Sequence, residues 1–180
     1  LDGDLVLGVL RHAGCPVIVA AQDPADAITA TAPKRIGVAW DRGEEAHEAL
    51  VVAARVAELA GGNVHVVHVI EPAAALVLPP GDPQIGHELT KTRHRECDAA
   101  IRAAAHAVNP ELEVQIDLRD GKVSKQIEAA TKDLDVLIVG SHRKGLLKRV
   151  TVGSVSEHLV HHNHCPVVVV PRGVTAGAAV

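Results

Sequence analysis

The chain contains no phenylalanine, no tyrosine and no methionine, and Trp40 is its single aromatic residue. Surfaces that stack unpaired bases need several rings, so recognition of single-stranded nucleic acid by stacking is excluded. A basic surplus is also absent. Eighteen Lys and Arg face 22 Asp and Glu, a formal net charge of −4, and such a field repels phosphate backbones and gives no general attraction to anionic membranes. Neither nucleic acid nor membrane is therefore expected as a partner. No apolar run approaches the roughly 20 residues of a bilayer-spanning helix, and the first residues lack the basic, apolar, small-residue order of a secretory leader. A cytoplasmic protein is the expectation. Cys15, Cys97 and Cys165 are odd in number with no close pair, which argues against a disulfide framework or a zinc ribbon. Reduced thiols are expected, with Cys15 and Cys165, each before a proline, reading as buried structural groups. The lack of methionine and the leucine at position 1 suggest a fragment or a processed chain.

What is present is a core of Val, Leu, Ile and Ala in 180 residues, enough for one well-buried domain and something more. The surplus explains itself when the chain is compared with itself at an offset of 150. Gly3–Ala20 (GDLVLGVLRHAGCPVIVA) and Gly153–Val170 (GSVSEHLVHHNHCPVVVV) share six identities without a gap, including Gly3/Gly153, His12/His162, Cys15/Cys165 and Pro16/Pro166. Each reads as a helix, a break at Cys-Pro and a short β-branched strand. An offset this long suits tandem domains rather than a solenoid. Residues 1–20 are accordingly expected to be the end of a first copy, 21–33 (AQDPADAITATAP) a linker, 34–172 a complete domain and 173–180 a tail.

Within the complete domain five β-branched runs alternate with helical patterns. The strands are expected at Arg35–Trp40, Val64–Ile70, Glu111–Leu118, Val136–Val139 and Val167–Val170. The helices are expected at Glu44–Ala60 (ended by Gly61-Gly62), from about Gly86 to about Val108, at Val123–Lys132, and from Ser154 to about His162. Each parallel connection needs a crossover that a helix supplies, and runs such as Val136-Leu-Ile-Val139 lack polar alternation, as strands covered on both faces do. The class is α/β, a doubly wound five-stranded parallel sheet.

The chemistry concentrates in Val136–Val155 (VLIVGSHRKGLLKRVTVGSV), which runs from a strand through a basic loop to a helix start. A helix N-terminus presents unsatisfied N–H groups and positive potential, Gly153 permits close approach, and the Ser154 hydroxyl adds a donor. Arg143, Lys144, Lys148 and Arg149 crowd the same loop, so an anion is the expected occupant. In an open α/β sheet it would sit at the strand-end crevice where the order reverses. Twelve histidines invite a metal reading, with His158/His162 and His94/Cys97 at helical spacing, but neither pair supplies the three or four ligands zinc needs. His65 and His68 read as hydrogen-bonded core or edge groups. Asp41, ending the first strand, reads equally as a turn or helix-capping residue.

This stretch resembles the universal stress protein family, whose ATP-binding members carry Gly-x2-Gly-x9-Gly-Ser/Thr between the fourth strand and the last helix. Gly140 matches the first glycine and Gly153-Ser154 the final pair, while Arg143 stands at the second glycine position. Val38-Ala-Trp-Asp41, Val67-His-Val-Ile70 and Cys165–Pro171 extend the likeness over about Lys34–Pro171. The resemblance implies a Rossmann-like sheet of the adenine nucleotide alpha hydrolase type, with strand order 3-2-1-4-5. It implies ATP, with Mg²⁺, as ligand: Asp41 beside the nucleotide, Val69 against adenine, Gly140, Ser141 and His142 along ribose and phosphates, and Gly153 with Ser154 on the terminal phosphates. Arg143 would either pair with a phosphate or close the site, which leaves a nucleotide-free interaction module as the alternative. An enzyme on this layout is disfavoured: the chain has no Walker-type Gly-x4-Gly-Lys-Ser/Thr, no Ser-Gly-Gly loop after the first strand and no evident nucleophile with its base. In the first copy Asp4 replaces Ser154, and a carboxylate there would repel phosphate. Family dimers join through the last strand, so a homodimer or a tandem pseudo-dimer is implied, with Pro16–Ala20 pairing antiparallel with Pro166–Val170.

Overall fold

The computed structural model describes residues 3–21, 32–71, 83–141, 153–171 and 173. In chain order the elements are α1 (Gly3–His12), β1 (Val17–Val19), β2 (Arg35–Trp40), α2 (Glu44–Ala60), β3 (Asn63–Ile70), α3 (Pro83–Val108), β4 (Val114–Asp120), α4 (Val123–Ala130), β5 (Val136–Gly140), α5 (Ser154–His161) and β6 (Val167–Val170). One sheet holds all six strands in the order β1-β6-β5-β2-β3-β4. Counted from β2, the five parallel strands run 3-2-1-4-5, as the sequence pattern and the resemblance together implied. The sixth strand, β1, lies antiparallel on β6 with Val17 opposite Val169, Ile18 opposite Val168 and Val19 opposite Val167.

The apolar runs explain the layering. Strands β2, β3 and β5 are buried on both faces, and two clusters of side chains form, one on each side of the sheet. On one side Val67, Val69, Leu137 and Val139 meet α4, α5 and α1 through Ile127, Leu159, Leu7 and Leu10. On the other, Ile36, Val38, Trp40 and Ile138 meet α2 and α3 through Ala49, Leu50, Ala53 and Ile101. Burying each Val, Leu or Ile side chain among these is worth about 1.5–3 kcal/mol. Helix α2 carries Glu44 and Glu45 in its first turn, where they complement the helix dipole, and it stops at Gly61, whose φ of 61° is the left-handed cap that glycine adopts most easily.

Some boundaries moved for local reasons. The third parallel strand begins at Val114 rather than Glu111, because the Asn109 side chain accepts the Glu111 N–H at 2.9 Å and its carbonyl accepts the Leu112 N–H at 2.9 Å, holding a turn. Helix α4 ends at Ala130, two residues early. Thr131 there donates its hydroxyl to the Glu128 carbonyl at 2.6 Å and starts a short 3-10 turn through Asp133. Helix α3 begins at Pro83, inside the stretch read as loop, with proline at a first-turn position that needs no N–H donor. Most of the linker, residues 22–31, lies outside the described residues. Cys165 is buried, but Cys15 is exposed, which corrects the reading of both as buried thiols; among the described residues the layers that enclose Cys165 have no counterpart around Cys15. Among the described residues no helix is long and apolar enough to cross a membrane.

Candidate functional site

A cleft of about 1040 Å³ opens at the carboxyl ends of β2, β3 and β5, at the upper end of the size of small-molecule sites. Strand β2 has β3 on one side and β5 on the other, and the connections that follow depart to opposite faces, so the crevice lies at the topological switch point. Each strand delivers its last residues to the wall: Trp40 and Asp41 from β2, Val69 to Glu71 from β3, Val139 and Gly140 from β5. Gly153 and Ser154 line the same cleft at the start of α5.

Five of the eight residues singled out in the sequence are therefore brought together: Asp41, Val69, Gly140, Gly153 and Ser154. Asp41 also serves as a turn residue, because its Oδ1 accepts the Gly43 N–H at 2.8 Å where α2 begins. Val69 is buried and presents a small apolar wall. Gly140 is required by packing: a Cβ there would collide with the backbone carbonyl of Glu45 in the first turn of α2. Gly153 caps α5 with φ −64° and no side-chain cap, and its carbonyl accepts the Glu157 N–H at 2.9 Å. Ser141 stands apart. It is 3% exposed, donates its N–H to the Val170 carbonyl at 2.8 Å, and is not one of the cleft's walls; its hydroxyl finds no partner among the described residues. His142 and Arg143, like Lys144, Lys148 and Arg149, lie outside the described residues.

The cleft also takes walls from elements that carried no motif. Helix α3 contributes Arg93, Glu96 and Cys97, and the α4 start contributes Lys122, Val123 and Ser124. The strand-end rule could have flagged Lys122 to Ser124, since they follow β4 directly; nothing local marks a mid-helix residue such as Cys97. Arg42, the one non-glycine with left-handed backbone among the described residues (φ 71°), turns its guanidinium onto the Cys97 sulfur at 3.0 Å. His68 donates its Nδ1–H to the Trp40 carbonyl at 2.7 Å, a hydrogen-bonded role in keeping with its reading as a core group. The Trp40 indole N–H is buried with no acceptor among the described residues.

Charge on these walls is mixed, with Asp41, Glu45, Glu71 and Glu96 interleaved with Arg42, Arg93 and Lys122. His158, one turn along α5 from Ser154, lines the cleft and donates its Nε2–H to the Glu128 carboxylate at 2.7 Å. That bond, with Lys125 at 3.1 Å, lowers the Glu128 carboxyl to about 2, so the pair is anchored on an ionised acid. Among the described residues no group of three or more His, Cys, Asp or Glu converges as a metal site.

A sequence model described as the Universal stress protein family matches residues 33–171. The chain belongs to the universal stress protein family. A universal stress protein of Mycolicibacterium smegmatis is 32% identical over 139 residues, which are 74% of this chain and 46% of that one. The crystal structure of a universal stress protein from Archaeoglobus fulgidus superposes with TM-score 0.68 at 25% identity, covering 96% of this chain and 57% of its own. The chain thus spans about half the length of these two relatives. A universal stress protein solved in complex with cAMP shares the fold, with TM-score 0.51, 17% identity and coverage of 78% of this chain and 98% of its own.

Proposed function

We propose that this universal stress protein is a regulatory module that binds an adenine nucleotide, ATP carried with Mg²⁺, in the switch-point cleft, and signals occupancy without turning the nucleotide over. One observation carries the reading. The start of α5, with Gly153 and Ser154, opens into the same cleft as the ends of β2, β3 and β5, so a helix N-terminus faces a cavity large enough for a nucleotide. Val69 would pack on the base, Asp41 would lie beside the ribose, Gly140 would let it pass close, and the first-turn N–H groups of α5 with Ser154 would hold the terminal phosphates. The family resemblance assigns His142 to the ribose and phosphate path and makes Arg143 either a phosphate contact or an obstruction; both lie outside the described residues. The cAMP complex of a related fold is in keeping with adenine as the base. Pairing through the last strand would take the tandem form, a reading supported by β1 lying antiparallel on the edge of β6. The partners are an adenine nucleotide and a like domain, with no nucleic acid or membrane, in the cytoplasm.

Asp41, Glu45, Glu71 and Glu96 on the walls favour a second reading, a nucleotide-free interaction module in which Arg143 fills the site, because four carboxylates oppose a polyanion. Calorimetric titration with ATP and Mg²⁺ separates the two. Binding that is lost in Ser154→Glu supports the nucleotide; no heat at millimolar ATP supports the closed module. Arg143→Gly then assigns the arginine: tighter binding makes it an obstruction, weaker binding a phosphate contact.

A further inference from the structure

The cleft has two sides. Val69, Ile127 and Val139 belong to the core under α4 and α5, and the nucleotide reading places its ligand against that side. Trp40 and Ala46 belong to the opposite core, under α2 and α3, and with Arg42, Arg93 and Cys97 they line a second wall that the reading does not use.

This second wall carries two arginines with no acid to neutralise them. Among the described residues neither Arg42 nor Arg93 pairs with a carboxylate, not even with Glu96 beside them, whereas Arg35, Arg55, Arg102 and Arg119 each do. Arg42 instead lays its guanidinium on the Cys97 sulfur at 3.0 Å. A thiol is a weak acceptor, so the contact is readily exchanged for an oxyanion, which a guanidinium grips with two parallel hydrogen bonds. Arg93 lies four residues before Cys97, the spacing that puts both on one face of α3. Both arginines therefore flank the same sulfur. Arg42 is also held at φ 71°, a left-handed conformation that residues with a Cβ seldom adopt and that recurs at ligand clamps. The Trp40 indole N–H, buried with no acceptor among the described residues, adds an unused donor to the wall.

We infer that Arg42 and Arg93 form a second oxyanion subsite, and that the ligand it selects is an adenine nucleotide carrying a phosphate on its ribose as well as at its 5′ position. The ligand class rests on the nucleotide reading; the subsite does not. In that reading the ribose lies beside Asp41 at the tip of β2, and Arg42 is the next residue. A 2′- or 3′-phosphate directed away from Val69, toward the α3 side, meets both guanidinium groups. An arginine near the ribose makes the same discrimination in dinucleotide-binding α/β folds, where it accommodates a 2′-phosphate. Asp41 accepts the Gly43 N–H through Oδ1 at 2.8 Å, which offsets part of its repulsion.

Two titrations of the full chain test this. Calorimetry compares AMP with adenosine 2′,5′- and 3′,5′-bisphosphate, and the fluorescence of Trp40, the single tryptophan, follows inorganic pyrophosphate as a probe that needs no nucleoside. One bisphosphate should bind about 10- to 100-fold tighter than AMP, the range of a charge-assisted hydrogen bond. Arg42→Gly and Arg93→Gln should each abolish that preference. Glycine suits the left-handed backbone at position 42, so Arg42→Gly should keep the wild-type circular dichroism spectrum and a cooperative melt. The pyrophosphate response should persist in Ser154→Glu, which blocks the α5 side, and vanish in both arginine variants. A response that survives both, or that the wild type lacks, would overturn the subsite. Bisphosphates that bind no tighter than AMP would overturn the ligand class and leave the adenine reading standing. Pyrophosphate binding through the arginines with no nucleotide binding at all would sink the adenine reading and the ligand class while upholding the subsite.

Discussion

Replacing Gly140 with alanine adds one methyl group at the end of β5, where the ideal Cβ collides with the Glu45 carbonyl and lies 2.7 Å from the Glu45 Cβ. Gly140 is not among the residues with positive φ, so alanine fits its backbone conformation, and the stiffer unfolded chain alone would stabilise by about 0.4–1 kcal/mol. Against that stands overpacking of about 1–3 kcal/mol, at the upper end here because the obstacle is helix backbone and cannot rotate away. The net loss of about 1–2 kcal/mol should lower the melting temperature of a chain this size by roughly 3–8 °C. Because α2 must recede, Asp41 and Glu45 shift with it, and affinity for any ligand in the cleft should fall as well. Gly8→Ala is the opposite control: inside α1, with nothing within 4 Å of its Cβ position, it should gain about 0.8–1 kcal/mol of helix propensity. Thermal and urea unfolding followed by circular dichroism read both. If Gly140→Ala melts at or above the wild-type temperature, the claim that helix packing demands this glycine is wrong.

Three further outcomes are expected. Burial pushes the Asp135 carboxyl up, but the N–H groups of Arg35 and Lys34 and the Arg35 guanidinium outweigh it and hold it below 3.8, so its stabilisation is present at neutral pH and lost as acid protonates it. Urea midpoints of the wild type should fall more steeply than those of Asp135→Asn between roughly pH 5 and 3. His65 behaves as a depressed base: burial and then the Arg35 charge lower it from 6.5, so its contribution is full above that value and is lost as the unfolded chain protonates first, and His65→Gln should flatten the decline from roughly pH 7 to 5. Asn163 is 3% exposed and donates Nδ2–H bonds to the carbonyls of Ala20 at 2.9 Å and Cys165 at 3.0 Å. Asn163→Ala should cost about 1–2 kcal/mol and raise hydrogen exchange in β1 before the rest of the sheet.

Much of the site was legible because its determinants are local. A β-branched run, a glycine at a strand end and a Gly-Ser helix start lie within a few residues of one another, and the strand-end rule converts them into positions on one crevice. Gly140, Gly153 and Ser154 were read that way, while Asp41 and Val69 came from the family resemblance; all five line the cleft. Ser141 was placed on the same path by the family resemblance, yet a strand turns successive side chains to opposite faces, and one step beyond Gly140 its hydroxyl lies buried.

The amino-acid sequence alone determined the parallel order of layers and the doubling of the α-Cys-Pro-β unit, since periodicity and repetition are written along one dimension. Tertiary structure decided which chain-distant groups share a wall: Arg93 and Cys97 reach the cleft only because α3 crosses back over the sheet, and Arg42 meets Cys97 across 55 positions. It also decided that Gly140 is held by α2. Close packing is a relation between surfaces, and a helix and a strand nearly a hundred residues apart acquire that relation only when the sheet brings them into contact.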